Sequence, residues 1–198
     1  MWSAAILAGG RAARFGGRDK SALLVDGQAI LDRQIAELFR LTDDVLVVGR
    51  RQSCPNAPVR MVDDQVPGRG PLGGLHSALA SARGDRLAVV ACDMPFVSAP
   101  FLEYLLTLTR EADAVVPQID GRYHPLCAAY TRACLGPAET CLAHGALKMT
   151  DLLRNLRVRE VLAEEMSGFG DHHRLLANVN TPEEYAALEA VQGHQLQS

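Results

Sequence analysis

The feature that most narrows the fold is a rhythm in the first half of the chain. Short apolar runs at Ala4–Leu7, Val45–Val48 and Leu87–Ala91 alternate with segments whose apolar side chains recur at helical spacing. Leu31, Ile35, Leu38 and Phe39 share one face of a helix within Gln28–Arg40, and Leu72–Ala82 reads as a second helix after the Gly70-Pro71 turn. A short strand at Val59–Val62 fits the same beat. Strand and amphipathic helix in alternation describe βα units, which build a parallel sheet.

The second half is less regular. Ser98 can cap a helix running to about Thr109, Ala114–Val116 and Leu126–Tyr130 read as strands, and helices are expected around Thr131–Leu142 and Met149–Leu153. Thr181 as N-cap, Pro182 at the first helical position and Glu184 closing a capping box start a further helix towards Val191. Gly193–Ser198 is a polar tail. Neither an internal repeat nor a Pro-, Gly- or Ser-rich linker divides the chain, so residues 1–192 are expected to form a single domain. A chain of 198 residues buries about 70% of its unfolded surface on folding, which one core can supply.

Charge and cysteine usage limit the function classes. The formal net charge is −3, so no broad basic field favours nucleic acid, and phosphate chemistry would need locally placed cations. The five cysteines, Cys54, Cys92, Cys127, Cys134 and Cys141, include no CxxC pair and read as reduced, mostly buried thiols. The start Met1-Trp2-Ser3-Ala4 lacks the charged region of a signal peptide. No apolar stretch approaches the ~20 residues that span a bilayer. A cytoplasmic protein without membrane contact is expected.

The densest chemical signal lies between Leu7 and Lys20. A strand ending at Leu7-Ala8 runs into Gly9-Gly10, and the loop carries Gly16, Gly17, Arg11, Arg14, Arg18 and Lys20. Glycines let backbone N–H groups surround phosphate oxygens, and Arg14 and Lys20 could reach the same oxygens with a fork and a point charge. The run is neither GxxxxGK[ST] nor GxGxxG, so the P-loop and dinucleotide motifs both fail. A solvated basic loop with turn glycines remains the alternative. Asp93 follows the strand Leu87–Ala91, where a carboxylate can hold Mg²⁺ against substrate phosphates, or simply close a turn. Asp64, after Met61-Val62-Asp63, stands in a similar place with the same two readings. The cluster Gly70-Pro71-Leu72-Gly73-Gly74 either walls a nucleotide or lets a helix pack closely. His172-His173 reads as an exposed loop without a third ligand, and neither Ser77 nor Ser98 sits in a GxSxG elbow.

Taken in order, these pieces resemble one family. The run Leu7-Ala8-Gly9-Gly10-Arg11-Ala12-Ala13-Arg14-Phe15-Gly16-Gly17-Arg18-Asp19-Lys20 is similar to the LAGGxSxRMGxxDK signature of molybdenum cofactor guanylyltransferases. Those enzymes belong to the wider nucleotide-diphospho-sugar transferase-like superfamily. Gly70–Gly74, Cys92-Asp93-Met94-Pro95, His124-Pro125 and Asn178-Val179-Asn180-Thr181-Pro182-Glu183-Glu184 follow in the family's order. Ala12 and Phe15 depart from the usual Ser and Met, and Val48 stands where some members place Asn.

The resemblance implies a three-layer α/β/α sandwich, Rossmann-like with a mostly parallel mixed sheet, its N-terminal half binding the nucleotide and its C-terminal half the pterin. It implies transfer of GMP from GTP to the phosphate of molybdopterin, with Mg²⁺ as cofactor. Leu7, Ala8, Gly9 and Gly10 would meet the nucleotide, Arg14 and Lys20 the triphosphate, and Asp64 the nucleotide again. Asp93 would hold Mg²⁺, while Asn178, Asn180 and the region from His124 would face the pterin. Carrier or acceptor proteins of the cofactor would be transient partners. Relatives that use CTP typically read Leu-Ala-Ala-Gly here, so Gly10 leans the base choice to guanine. A CTP or sugar-phosphate enzyme of the same fold, and a non-catalytic nucleotide-binding regulator, are the rival readings.

Overall fold

The structure, a computed structural model, describes residues 1–8, 28–49, 58–179, 181, 183 and 184, and the backbone of 14–15, 18–19 and 24–25. Trp2–Leu7 forms β1, and its side chains divide between two cores: Ala4 and Ile6 in one, Ala5 and Leu7 in the other. Successive strand residues point to opposite faces, so a strand covered on both sides must be apolar throughout. Two short antiparallel pairs follow, β2 (Arg14–Phe15) with β3 (Arg18–Asp19) and β4 (Leu24–Val25) with β5 (Gln28–Ala29). Helix α1 (Ile30–Phe39) therefore starts two residues later than its apolar pattern suggests, because Gln28 and Ala29 are taken by strand pairing.

The chain continues through β6 (Val45–Val48), β7 (Arg60–Val62), α2 (Gly70–Ser81), β8 (Arg86–Ala91) and α3 (Ala99–Leu108). The second half adds β9 (Ala114–Ile119), β10 (Arg122–Tyr123), β11 (Cys127–Thr131), α4 (Leu135–Ala143), α5 (Met149–Leu153), β12 (Val158–Val161), α6 (Ala163–Met166) and α7 (His172–Leu175). The main sheet runs β10-β9-β11-β8-β1-β6-β7, with β12 paired to β9. Strands β8, β1, β6 and β7 are mutually parallel, and β11 runs antiparallel between β8 and β9. Apolar residues of α1 and α3 pack on one face and those of α2, α4 and α5 on the other. The result is a three-layer α/β/α sandwich around a mostly parallel mixed sheet.

Several local details differ from the sequence pattern for physical reasons. Ser98 occupies the N-cap position of α3 without a capping bond, and Glu37 on α1 accepts from the Ala99 N–H at 2.7 Å instead. Thr131 ends β11, and a 3₁₀ turn at Arg132–Cys134 precedes α4. His172 and His173 belong to a helical turn, not a loop, capped by Asp171, which accepts from the Arg174 N–H at 2.7 Å. Thr181 Oγ1 accepts from the Glu184 N–H at 3.1 Å, as a cap should. Pro182, the rest of that helix, Gly193–Ser198 and Cys54 lie outside the described residues. Burial pushes the Cys127 and Cys134 thiols up to about 12, which keeps both protonated and inert.

The starts of the parallel strands are tied together by a buried carboxylate. Asp44, only 5% exposed, accepts from Ser3 Oγ at 2.5 Å and from the Arg83 N–H at 2.9 Å, and it pairs with Arg60. Burial alone would raise its carboxyl, but these donors outweigh burial and hold it below the usual value. The stabilisation is therefore complete above the unfolded value of about 3.9 and is lost as pH falls through the lowered folded value. Asp44→Ala should cost about 2–4 kcal/mol, because it strands a buried hydroxyl, an N–H and a guanidinium. Thermal denaturation at pH 7 should show Tm lower by roughly 5–15 °C. The gap between variant and wild type should narrow below about pH 4.

Candidate active site

Register brings four parallel strand ends to one edge of the sheet. Leu7 pairs with Val48 on one side and Ala91 on the other, and Val48 pairs with Val62. The ladder continues one step further: the Ala8 N–H donates to Val48 O at 2.8 Å, Gly49 N–H to Val62 O at 3.0 Å, and Cys92 N–H to Leu7 O at 3.3 Å. Ala8, Gly49, Asp63-Asp64 and Cys92-Asp93 thus leave the sheet side by side. Ligands of open α/β sheets bind beyond such carboxyl ends.

Asp93 sits in a tight turn, with the Met94 N–H donating to Ala91 O at 3.3 Å. The residue is half-buried, and its Oδ1 is closed off from solvent. Two distant segments are fastened to the same turn. Ala91 N–H donates to Leu126 O at 2.8 Å, and Val179 N–H donates to Asp93 O at 2.7 Å. The His124–Leu126 turn and the Asn178–Val179 segment are thereby held against the carboxylate's backbone. His124 is half-buried, and burial first, then Arg122 and His173, hold its pKa below the ordinary value and favour the neutral ring. Asn178 is exposed beside buried Val179.

Asp64 is organised differently. Its Oδ1 accepts from the Val66 N–H at 3.0 Å, closing an Asx turn, and lies 3.4 Å from Ser77 Oγ. Ser77, fully buried, accepts from the Gln65 N–H and donates to Gly73 O, both at 2.9 Å. Strands β8 and β7 are three positions apart in the sheet, which places their ends roughly 14 Å apart at the usual strand spacing. Asp64 and Asp93 therefore approach the site from strands that are not neighbours. Among the described residues no group of three or more His, Cys, Asp or Glu could hold a metal. One shielded carboxylate oxygen at Asp93 nonetheless suits Mg²⁺, which is commonly held by one or two carboxylates with substrate phosphates and waters completing the shell.

Similarity to known proteins agrees with this geometry. The MobA-like NTP transferase domain matches residues 4–161. A “Probable molybdenum cofactor guanylyltransferase” of Pelotomaculum thermopropionicum is 33% identical over 178 residues, covering 89% of this chain and 86% of that protein. A molybdenum cofactor guanylyltransferase of Desulfosudis oleivorans is 31% identical, covering 93% of each. Among solved structures, molybdopterin-guanine dinucleotide biosynthesis protein A from Archaeoglobus fulgidus superposes with a TM-score of 0.81 at 24% identity, covering 98% of this chain and all of that one. The chain belongs to the MobA-like NTP transferase family.

Within this NTP transferase, Leu7, Ala8, Asp64, Asp93 and Asn178 are gathered at one sheet edge. Gly9, Gly10, Lys20 and Asn180 lie outside the described residues, as does the side chain of Arg14, whose backbone belongs to β2. The Leu7 carbonyl and Ala8 N–H are already engaged in the sheet. Val48 is buried in the core beside α2 and offers no polar side chain to a ligand. A cleft of about 600 Å³, lined by Arg33, Phe96, Phe169 and Arg174 among others, adjoins Pro95–Ser98 without including Asp64 or Asp93. Among the described residues no helix is long and apolar enough to cross a membrane.

Sequence reasoning missed Ser77 and Gln34. The signal for Gln34 was present: it falls between Leu31, Ile35 and Leu38 on the apolar face of α1, where a polar residue needs a partner.

The glycine cluster at α2 serves close packing. A Cβ on Gly73 would stand 2.9 Å from Val66 O and 3.3 Å from Asp64 Oδ1, and one on Gly74 would touch the Leu7 side chain at 3.6 Å. Gly73→Ala must therefore displace the Asp64 turn, at about 1–3 kcal/mol. Gly74→Ala meets only ordinary contacts and should cost less. Chemical denaturation of the two variants side by side checks this order.

Proposed function

We propose that this NTP transferase moves GMP from GTP to the phosphate of molybdopterin, releasing pyrophosphate and forming molybdopterin guanine dinucleotide. The observation that carries the reading is the meeting, at one turn, of the strand-end carboxylate Asp93 with segments from both halves of the chain: Cys92 bonded to Leu7, and Asp93 bonded to Val179. The N-terminal half would take the nucleotide and the C-terminal half the pterin, within one domain over 1–192. The family match and the relatives' names support the same assignment.

In this reading Ala8, Gly9 and Gly10 offer backbone groups to guanine or ribose, with the Ala8 carbonyl as the first group beyond the sheet. Arg14 and Lys20 neutralise the triphosphate, Asp64 borders the nucleotide, and Asn178, Asn180 and the His124 turn border the pterin. Mg²⁺, held by Asp93 when bound, would neutralise charge on the phosphate oxygens. An oxygen of the molybdopterin phosphate attacks the α-phosphorus of GTP as the bond to the β-phosphate breaks, and the electron pair leaves with pyrophosphate. A phosphate monoester with its second pKa near ~6 is largely ionised at neutral pH, so the attack needs no strong general base. Neutral His124 is free of that duty. Positioning and charge neutralisation do the rest. The enzyme would work in the cytoplasm and pass its product to carrier or acceptor proteins of the cofactor.

Incubation with each NTP, Mg²⁺ and molybdenum cofactor should yield the guanine dinucleotide. Formation of the cytosine dinucleotide at an equal rate would overturn the base assignment and keep the reaction type. Asp93→Ala should abolish turnover with Tm preserved. Lys20→Ala should lower kcat by on the order of 10²-fold, the scale of one preorganised donor, because its contact strengthens as charge builds on pyrophosphate. Asn180→Ala should weaken pterin binding and leave GTP affinity unchanged.

A further inference from the structure

The turn that carries Asp93 is bonded by a side chain from another element. Gln34 lies on α1 with no exposed surface. Its Nε2 donates to Ala91 O at 2.7 Å and to Met94 O at 2.9 Å, so one amide nitrogen spans both ends of the turn that carries Asp93. Both contacts are carbonyl oxygens, which fixes the orientation of the amide: only its nitrogen can donate to them. The remaining Oε1 is buried and has no hydrogen-bond partner among the described residues. An apolar side chain of this length would fill the same space without an orphaned oxygen. The amide is thus explained by what its nitrogen holds.

Gln34 shares the turn with bonds from other elements, the Ala91 N–H donating to Leu126 O at 2.8 Å and the Cys92 N–H to Leu7 O at 3.3 Å. Met94 N–H reaches Ala91 O at 3.3 Å, a long bond, and Val179 N–H binds Asp93 O from the opposite half of the chain. Met94 is buried, at 2% exposed, so without Gln34 its carbonyl must find another donor or move the turn to water.

We infer that Gln34 is a positioning residue for nucleotidyl transfer, clamping the Ala91–Met94 turn so that Asp93 is presented in one fixed geometry. The inference rests on the reading of Asp93 as the metal carboxylate, but the clamp itself can be tested without metal or substrate.

Two variants separate the possibilities. Gln34→Met keeps the length and removes both donors; Gln34→Glu keeps the shape and sets a carboxyl against two carbonyls. In the substrate-free protein, hydrogen–deuterium exchange of peptides covering 91–94 should accelerate in both variants while peptides from β1 and β6 stay protected. With GTP, molybdenum cofactor and Mg²⁺, kcat should fall and the Mg²⁺ concentration for half-maximal rate should rise, each on the order of 10- to 100-fold, the usual effect of losing an outer partner of a metal ligand. KM for GTP at saturating Mg²⁺ should hold. If either variant unfolds, the other is read alone. Unchanged exchange of the turn overturns the clamp. Faster exchange with full turnover overturns its role in positioning. Full turnover in Asp93→Ala alone overturns the metal reading instead, and leaves the exchange result standing as evidence for the clamp.

Discussion

Everything at the candidate site depends on the parallel register of β1 with its two neighbours. Because Leu7 is level with both Val48 and Ala91, the loops that follow leave the sheet at the same height. A slip of one residue would turn Ala5 and Leu7 to the α1 and α3 face and break both cores together. Burial on two faces therefore fixes the register, and the register fixes which residues can meet a ligand. The antiparallel strand adds to this. Cys127 at the start of β11 is opposite Val90 near the end of β8, so the turn before β11, His124–Leu126, arrives at the edge where the parallel strands finish. A wholly parallel sheet would have placed that turn at the other edge.

The two acids illustrate how similar sequence positions acquire different duties. Each follows a strand, yet they stand at β7 and β8 with β6 and β1 between them. Asp64 binds its own loop through Val66 and lies near Ser77, and Gly73 packs against it. That loop is set by local bonds and by the close approach of α2. Asp93 has its backbone carbonyl bonded from Val179, and the carbonyls of Ala91 and Met94 on either side of it are bonded from Gln34 on α1. Its turn is tied to segments distant in sequence, Gln34 lying 57 residues from Ala91 and 60 from Met94.

Much of the fold was legible because buried parallel strands are continuous apolar runs. β1, β6 and β8 announced themselves in that way, and α1 and α2 by spacing. β12 did not, since Val158-Arg159-Glu160-Val161 carries polar, half-buried side chains suited to a strand paired on β9. The short β10 depends on the turn at Asp120-Gly121, both in the left-handed region, and has too few residues to show a period. At the site, Asp93 and Asp64 were readable as strand-end acids, but the difference between them was not. It arises from strand order, which no local pattern encodes. The bond from Val179 to Asp93 joins positions far apart in the chain, and Gln34 is a lapse in the apolar stripe of α1 whose partners lie on another element.

That lapse bears on how such an enzyme obtains precision cheaply. In-line transfer asks little covalent work of the protein and much positional accuracy. A turn outside the sheet lacks ladder bonds, so its accuracy must come from donors supplied by neighbours. Here one helix supplies an amide to both ends, and the far segment supplies a backbone N–H to the middle. The middle bond has a consequence of its own. Any movement of the Asn178–Val179 segment on engaging an acceptor would pull on the Asp93 carbonyl, with the Gln34 bonds resisting. The Asn178–Val179 segment and α1, through a single buried amide, thus meet at the one turn that carries Asp93.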